Sequence, residues 1–182
     1  MSLPTPDEGR ESPRDLLARL EAHVGTSRAA LLCAELLACD DPAEHPETLL
    51  YLGGAAGRAI LDGSPSWRPY WARVWGARGL LYVWDDAATG AVLDGLRDEA
   101  WRVAEMCLKV CALRDLPAGD DAVRLAGHEL PRVRATAVRA LGATGDVEHV
   151  DAVRDALDDE AQEVRGAAHR ALERMRARLD LP

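Results

Sequence analysis

From Arg14 onward the apolar residues recur at helical spacing. Leu16, Leu17 and Leu20 form a short amphipathic stretch, and a stronger one runs from Arg28 to Ala38, with Ser27 as its expected N-cap. Asp40-Asp41-Pro42 ends that helix. Leu49, Leu50, Leu52, Ala56, Ile60 and Leu61 outline the next, and Gly53 and Gly57 lie one turn apart within it. Glycine costs helix stability, so close approach of a neighbouring helix is the expected reason for the pair. Ser64-Pro65-Ser66 breaks the chain before an aromatic-rich helix from Trp67 to about Trp84, where Pro69 is tolerable only in the first turn. Residues 1–13 carry three prolines, a glycine and several charges without apolar periodicity, and predict a disordered N-terminal arm.

Sliding the chain against itself exposes a repeat. Ala77, Cys107, Ala137 and Ala168 fall at successive offsets of 30, 30 and 31 residues. Leu80, Val110, Ala140 and Ala171 do the same, as do Leu81, Cys111, Leu141 and Leu172. The preceding helix repeats through Leu93, Val123 and Val153 and through Leu96, Ala126 and Ala156, so each unit is a helix pair. An acidic residue recurs near the turn between the two helices, as Glu99, Glu129 and Glu160. The predicted organisation is a 1–13 arm, N-terminal helices over 14–62, and repeats of period 30–31 over 63–182.

Val133-Arg134-Ala135-Thr136-Ala137-Val138-Arg139-Ala140-Leu141-Gly142 and Val164-Arg165-Gly166-Ala167-Ala168-His169-Arg170-Ala171-Leu172 resemble the second helix of short bacterial HEAT-like repeats. Asp158-Asp159 is similar to the acidic turn of that family, from which an acid pairs with an arginine of the same or a neighbouring repeat. The resemblance covers roughly residues 73 to 175 and departs at Ala104, which stands where Arg134 and Arg165 stand. It implies an all-α fold, a right-handed α-α superhelix (an armadillo-like HEAT solenoid) of about nine or ten helices.

Composition refines this picture. Hydrophobic residues make up 48% of the 182-residue chain, yet there is no Phe, so the core must be Ala and Leu with some Val. A net charge of -9 opposes general attraction to nucleic acid or anionic lipid. Met1-Ser2-Leu3-Pro4 does not begin a signal segment and no apolar run is long enough to span a bilayer, so the expected setting is cytoplasmic, away from membranes. Cys33, Cys39, Cys107 and Cys111 form no C-x-x-C pair, sit in apolar helical patterns, and read as small buried thiols.

If Ala137, Ala140 and Leu141 face the core, the opposite side of each second helix faces outward, on the usual concave side of such a stack. One outward row reads Gly79, Lys109, Arg139 and Arg170, a second Arg78, Leu108, Val138 and His169, a third Trp75, Glu105, Ala135 and Gly166. Lys109, Arg139 and Arg170 would form a basic ladder with rungs about 8 to 10 Å apart. Aromatics and arginine carry much of the binding energy at interfaces. The expected partner-binding residues are therefore Trp75, Arg78, Lys109, Arg139, His169 and Arg170, and the expected partner is an acidic or amphipathic protein segment.

Enzymatic readings find less support. Trp84-Asp85-Asp86 invites comparison with HEAT-like DNA glycosylases acting on alkylated bases, but an N-cap role accounts for the aspartates and the chain's acidity opposes duplex binding. His128-Glu129 is one pair where HEAT-like deoxyhypusine hydroxylases need four, and no other histidine has paired metal spacing. Features that the phycobilin lyases carry beyond the repeat cannot be identified. No nucleophile motif or phosphate-cradling glycine loop is present. The expectation is a non-catalytic adaptor or regulatory module that uses no cofactor and no metal.

Overall fold

The computed structural model describes Leu3 and residues 11–180. Among them are ten α-helices, joined by short 3-10 turns, and no strand. This all-α architecture is the one that the resemblance implies. Most of the expected arm over 1–13 lies outside the described residues; its end does not, because Ser12 caps the first helix and accepts a hydrogen bond from the Asp15 amide at 3.2 Å. By packing the chain divides into two compact units, Met1–Gly95 and Leu96–Pro182.

In the first unit, α1 (Pro13–Val24) turns Leu17 and Leu20 inward, and Gly25 at φ 83° lets the chain reverse directly into α2 (Thr26–Ala38). Ser27 therefore lies inside α2 rather than at its cap, and its hydroxyl meets Asp85. The Tyr51 hydroxyl of α3 (Pro46–Leu61) donates to the Leu16 carbonyl at 2.8 Å and ties α3 to α1. Gly54, at φ 53° and ψ -129°, breaks α3 into two segments.

The fourth helix, α4 (Tyr70–Gly79), is shorter than the expected span from Trp67 to Trp84. Its last turns press on α2. A Cβ at Gly76 would stand 2.6 Å from the Cys33 carbonyl oxygen and from the Leu37 nitrogen, and one at Gly79 would stand 2.5 Å from Cys33 Sγ. The close helix crossing anticipated for Gly53 and Gly57 is thus made by Gly76 and Gly79. Gly53 instead admits the indole of Trp75, and Gly57 lies against the Leu49 carbonyl of its own kinked helix. Beyond Gly79 the chain runs through turns to Asp85, whose carboxylate accepts from the Ala87 amide at 3.0 Å, and then into α5 (Thr89–Gly95).

In the second unit, α7 (Gly119–Ala126) and α9 (Val150–Asp155) are first helices, and α6 (Trp101–Arg114), α8 (Pro131–Thr144) and α10 (Gln162–Leu179) are second helices. The second helices pack side by side in the order α6, α8, α10, with α7 against α8 and α9 against α10. The predicted rows are buried: Cys107, Ala137 and Ala168 at 0% exposure, and Val110 and Ala140 likewise. In the first unit Ala77 and Leu80 follow the rows, but Leu81 is only half-buried because α4 has already ended.

In the last first helix Val153 and Ala156 are buried as the registers predict, and so is Leu96; in α5 and α7 the inward positions fall one residue earlier, at Val92 and Gly95 and at Ala122 and Leu125, which leaves Val123 37% exposed. Small residues at the second-helix rows let these helices approach closely, and exposed Val123 shows that apolar character alone does not set the face of a short helix.

Candidate functional site

The packing of the second unit rests on a carboxylate held between successive repeats. Arg134 Nε donates to Asp159 Oδ2 at 2.7 Å and Nη2 to Oδ1 at 2.9 Å, while Nη1 donates to the carbonyls of His128 and Glu129, both at 3.0 Å. Asp159 belongs to the turn that starts α10, where its Oδ1 also accepts from the Ala161 amide at 2.8 Å. These hydrogen bonds lower the Asp159 pKa and raise that of Arg134. The pair is the acid-to-arginine link between neighbouring repeats that the acidic turn led one to expect, and it orients α8 and α10 so that their free faces lie side by side.

On that face Arg139 and Arg170 are exposed, and with His169 they border one open groove of about 640 Å³ along the start of α10. Among the described residues neither arginine has an ion-pair or hydrogen-bond partner. Lys109 occupies the same row on α6 but is not free, because its Nζ lies 2.9 Å from Glu105 Oε1. Glu105 is 5% exposed and also accepts Arg132, with Nη2 at 2.9 Å from Oε2. Arg132 and Arg102 lie over the Trp101 ring, at 5.1 and 4.1 Å from its centre. Trp101, Arg102, Glu105, Lys109 and Arg132 therefore form a cluster at the α6 end of the face. Arg132 was missed in the sequence, although it stands seven residues, two helical turns, before Arg139 and falls on the same side of α8.

Several expected outward positions are not outward. Leu108, Val138 and Ala135 are all 0% exposed, because that side of α6 and α8 is covered by the next second helix. His169 takes the same repeat position on α10 and is exposed. Trp75 is 6% exposed, sealed by Gly53 on one side and stacked on Trp71 with ring centres 6.3 Å apart, so it is a core residue of the first unit and not a contact for a partner. Arg78, also in the first unit, is half-buried, and burial pulls its guanidinium below its ordinary range. Of the expected residues, Arg139, His169 and Arg170 converge, Lys109 adjoins them on the neighbouring α6, and Trp75 and Arg78 lie in the other unit.

Asp85 holds the Ala87 amide and the Ser27 hydroxyl, and both bonds pull its carboxyl below the usual range. The indole nitrogen of Trp84 donates to Asp86 at 3.0 Å. Among the described residues no group of three His, Cys, Asp or Glu side chains is placed to hold a metal ion, and no helix is long and apolar enough to cross a membrane. His128 Nδ1 accepts from the Leu130 amide at 3.0 Å in the turn before α8.

Comparison with known proteins agrees with the packing. The family model described as HEAT repeats matches residues 89–173. The crystal structure of an engineered protein from the Northeast Structural Genomics Consortium is similar in fold, with a TM-score of 0.53 and 19% identity over 91% of this chain and 89% of that one. No curated protein sequence matches the chain. HEAT repeats are a protein-interaction type of scaffold. The helix pairs, the buried rows of small residues and the Arg134–Asp159 link are the packing of the HEAT-like repeats that this chain carries within residues 89–173.

Proposed function

We propose that the chain is a non-catalytic adaptor or regulatory module, and that the free face of α6, α8 and α10 binds an acidic or amphipathic segment of a partner protein. The observation that carries this reading is the pair Arg139 and Arg170, exposed on the rim of one groove and without a carboxylate partner among the described residues. Unpaired guanidinium groups in a chain of net charge -9 stand out as an attractive patch on an otherwise repelling molecule. They favour an acidic ligand and set its orientation. Lys109 and Arg132 extend the patch, and Trp101 supplies apolar area beside them.

The test is binding of a fluorescein-labelled, Glu-rich amphipathic helical peptide, followed by anisotropy at two salt concentrations. The triple variant K109E/R139E/R170E should bind at least about tenfold more weakly, a loss of roughly 1.4 kcal/mol or more, with an unchanged far-ultraviolet spectrum. The parent chain should also weaken as salt rises. Equal binding by parent and triple variant removes this face from consideration.

A further inference from the structure

Arg134 and Arg165 hold the same position in successive second helices, and their guanidinium groups are pinned the same way. Arg134 Nη1 donates to the carbonyls of residues 128 and 129, both at 3.0 Å. Arg165 Nη1 donates to the carbonyls of Asp159 at 2.7 Å and Glu160 at 2.9 Å. In Arg134 this anchoring leaves Nε and Nη2 side by side, and together they hold the Asp159 carboxylate. In Arg165 the same edge meets no carboxylate among the described residues.

A guanidinium fixed through one nitrogen has already lost the side-chain freedom that binding would otherwise cost, and its remaining edge is a rigid fork matched to a carboxylate. Arg165 lines the same groove as Arg139, His169 and Arg170, so a carboxylate reaching the fork enters a region of positive charge. Glu163 lines it too, which disfavours a ligand carrying dense charge at that end. The Arg134 site shows what fits: Asp159 shares one oxygen between the arginine and the Ala161 amide, so its carboxylate comes from the turn that leads into a helix, two residues before the N-cap.

We propose that Arg165 is a docking point for an aspartate in the turn that precedes a partner's helix, bound as Arg134 binds Asp159. The proposal rests on the reading of the ligand as an acidic protein segment and narrows it to one residue type in one local conformation.

The probe is a synthetic peptide reproducing residues 156–172, which contains the Asp159 turn, titrated into the 15N-labelled full chain while the arginine Nε–Hε signals are followed. The Arg165 signal should move and sharpen. A peptide carrying Asp159→Asn should bind at least about fivefold more weakly, and so should the R165K chain, which keeps the charge but loses the fork. Thermal melting of R165K confirms that the fold is retained, and R165Q provides a second variant if it is not. Movement of Arg139 and Arg170 with a static Arg165 overturns this inference and leaves the broader reading standing. Movement of Arg165 alone supports the fork and overturns the broader face. Equal affinity of the Asn peptide overturns the fork, and no signal moving at millimolar peptide overturns both.

Discussion

Gly142 of α8 lies against Ala171 of α10 so closely that a Cβ at position 142 would stand 2.6 Å from Ala171 Cα and 2.7 Å from its Cβ. Both obstructing atoms belong to, or are fixed by, the backbone of the neighbouring helix, so they cannot rotate away. Gly142→Ala should therefore destabilise the chain by roughly 1–3 kcal/mol despite the better helix propensity of alanine. Gly90 of α5 has nothing within 4 Å of its would-be Cβ. Gly90→Ala should be neutral or stabilising by a few tenths of a kcal/mol. Urea denaturation of the two variants checks the contrast, and equal effects would mean that the α8–α10 crossing is looser than described.

Acid should undo the bond between Arg134 and Asp159. The folded pKa of Asp159 is lowered, first by its hydrogen bonds from Arg134, so its contribution is present above the ordinary aspartate value of about 3.9 and is lost as pH falls through the folded value. Arg134→Met should cost roughly 3 kcal/mol at neutral pH, since it leaves Asp159 and two loop carbonyls without their donor. Below pH 4 the gap between parent and variant should narrow. Melting curves from pH 7 to pH 2.5 read this directly, and a gap that stays constant would contradict the assignment.

Glu105 offsets part of the positive charge at the α6 end of the basic face by holding both Lys109 and Arg132. Replacing it with glutamine removes one negative charge and frees Lys109. The Glu-rich peptide should then bind roughly two- to fivefold more tightly at low salt, with the gain shrinking as salt is added. Stability should fall, because two cations lose a buried acceptor. Isothermal titration at two ionic strengths separates these effects, and weaker peptide binding by a folded E105Q chain would show that Glu105 organises the face rather than masking it.

The thiols should be chemically silent in the folded chain. Burial pushes Cys33 and Cys111 up to about 12 and Cys107 well above its ordinary range. Cys39, 6% exposed, is raised less, and its Sγ donates to the Leu36 carbonyl at 3.1 Å. At pH 8 a disulfide reagent should react slowly, Cys39 first, and with all four thiols at once in guanidinium. Rapid modification of Cys107 in buffer would mean that α6 opens far more readily than its packing implies.

How much of the site was legible varies with the kind of position. The outward placement of Arg139, His169 and Arg170 is legible because a polar residue on an otherwise apolar repeat faces away from the core, and the period carries that inference from one repeat to the next. Val138 and Leu108 were placed on the same side and are buried. In a stack of second helices an apolar residue between the free face and the neighbouring helix reads the same in either setting. Trp75 was lost for a similar reason, since the glycine that receives its ring lies 22 residues away on another helix.

The sequence was sufficient for the helix pairs, their period, the small-residue rows and the net charge. These follow from spacing and side-chain chemistry, which act locally along the chain. Packing between helices settled the rest: α4 ends at Gly79, Gly76 and Gly79 rather than Gly53 and Gly57 make the close crossing, and Glu105 claims Lys109. Packing also gives Arg134 its carboxylate and leaves Arg165 with an open fork, although the two arginines are equivalent in the repeat. Each depends on which atoms a neighbouring helix brings within a few ångströms, and sequence spacing alone carries no record of that distance.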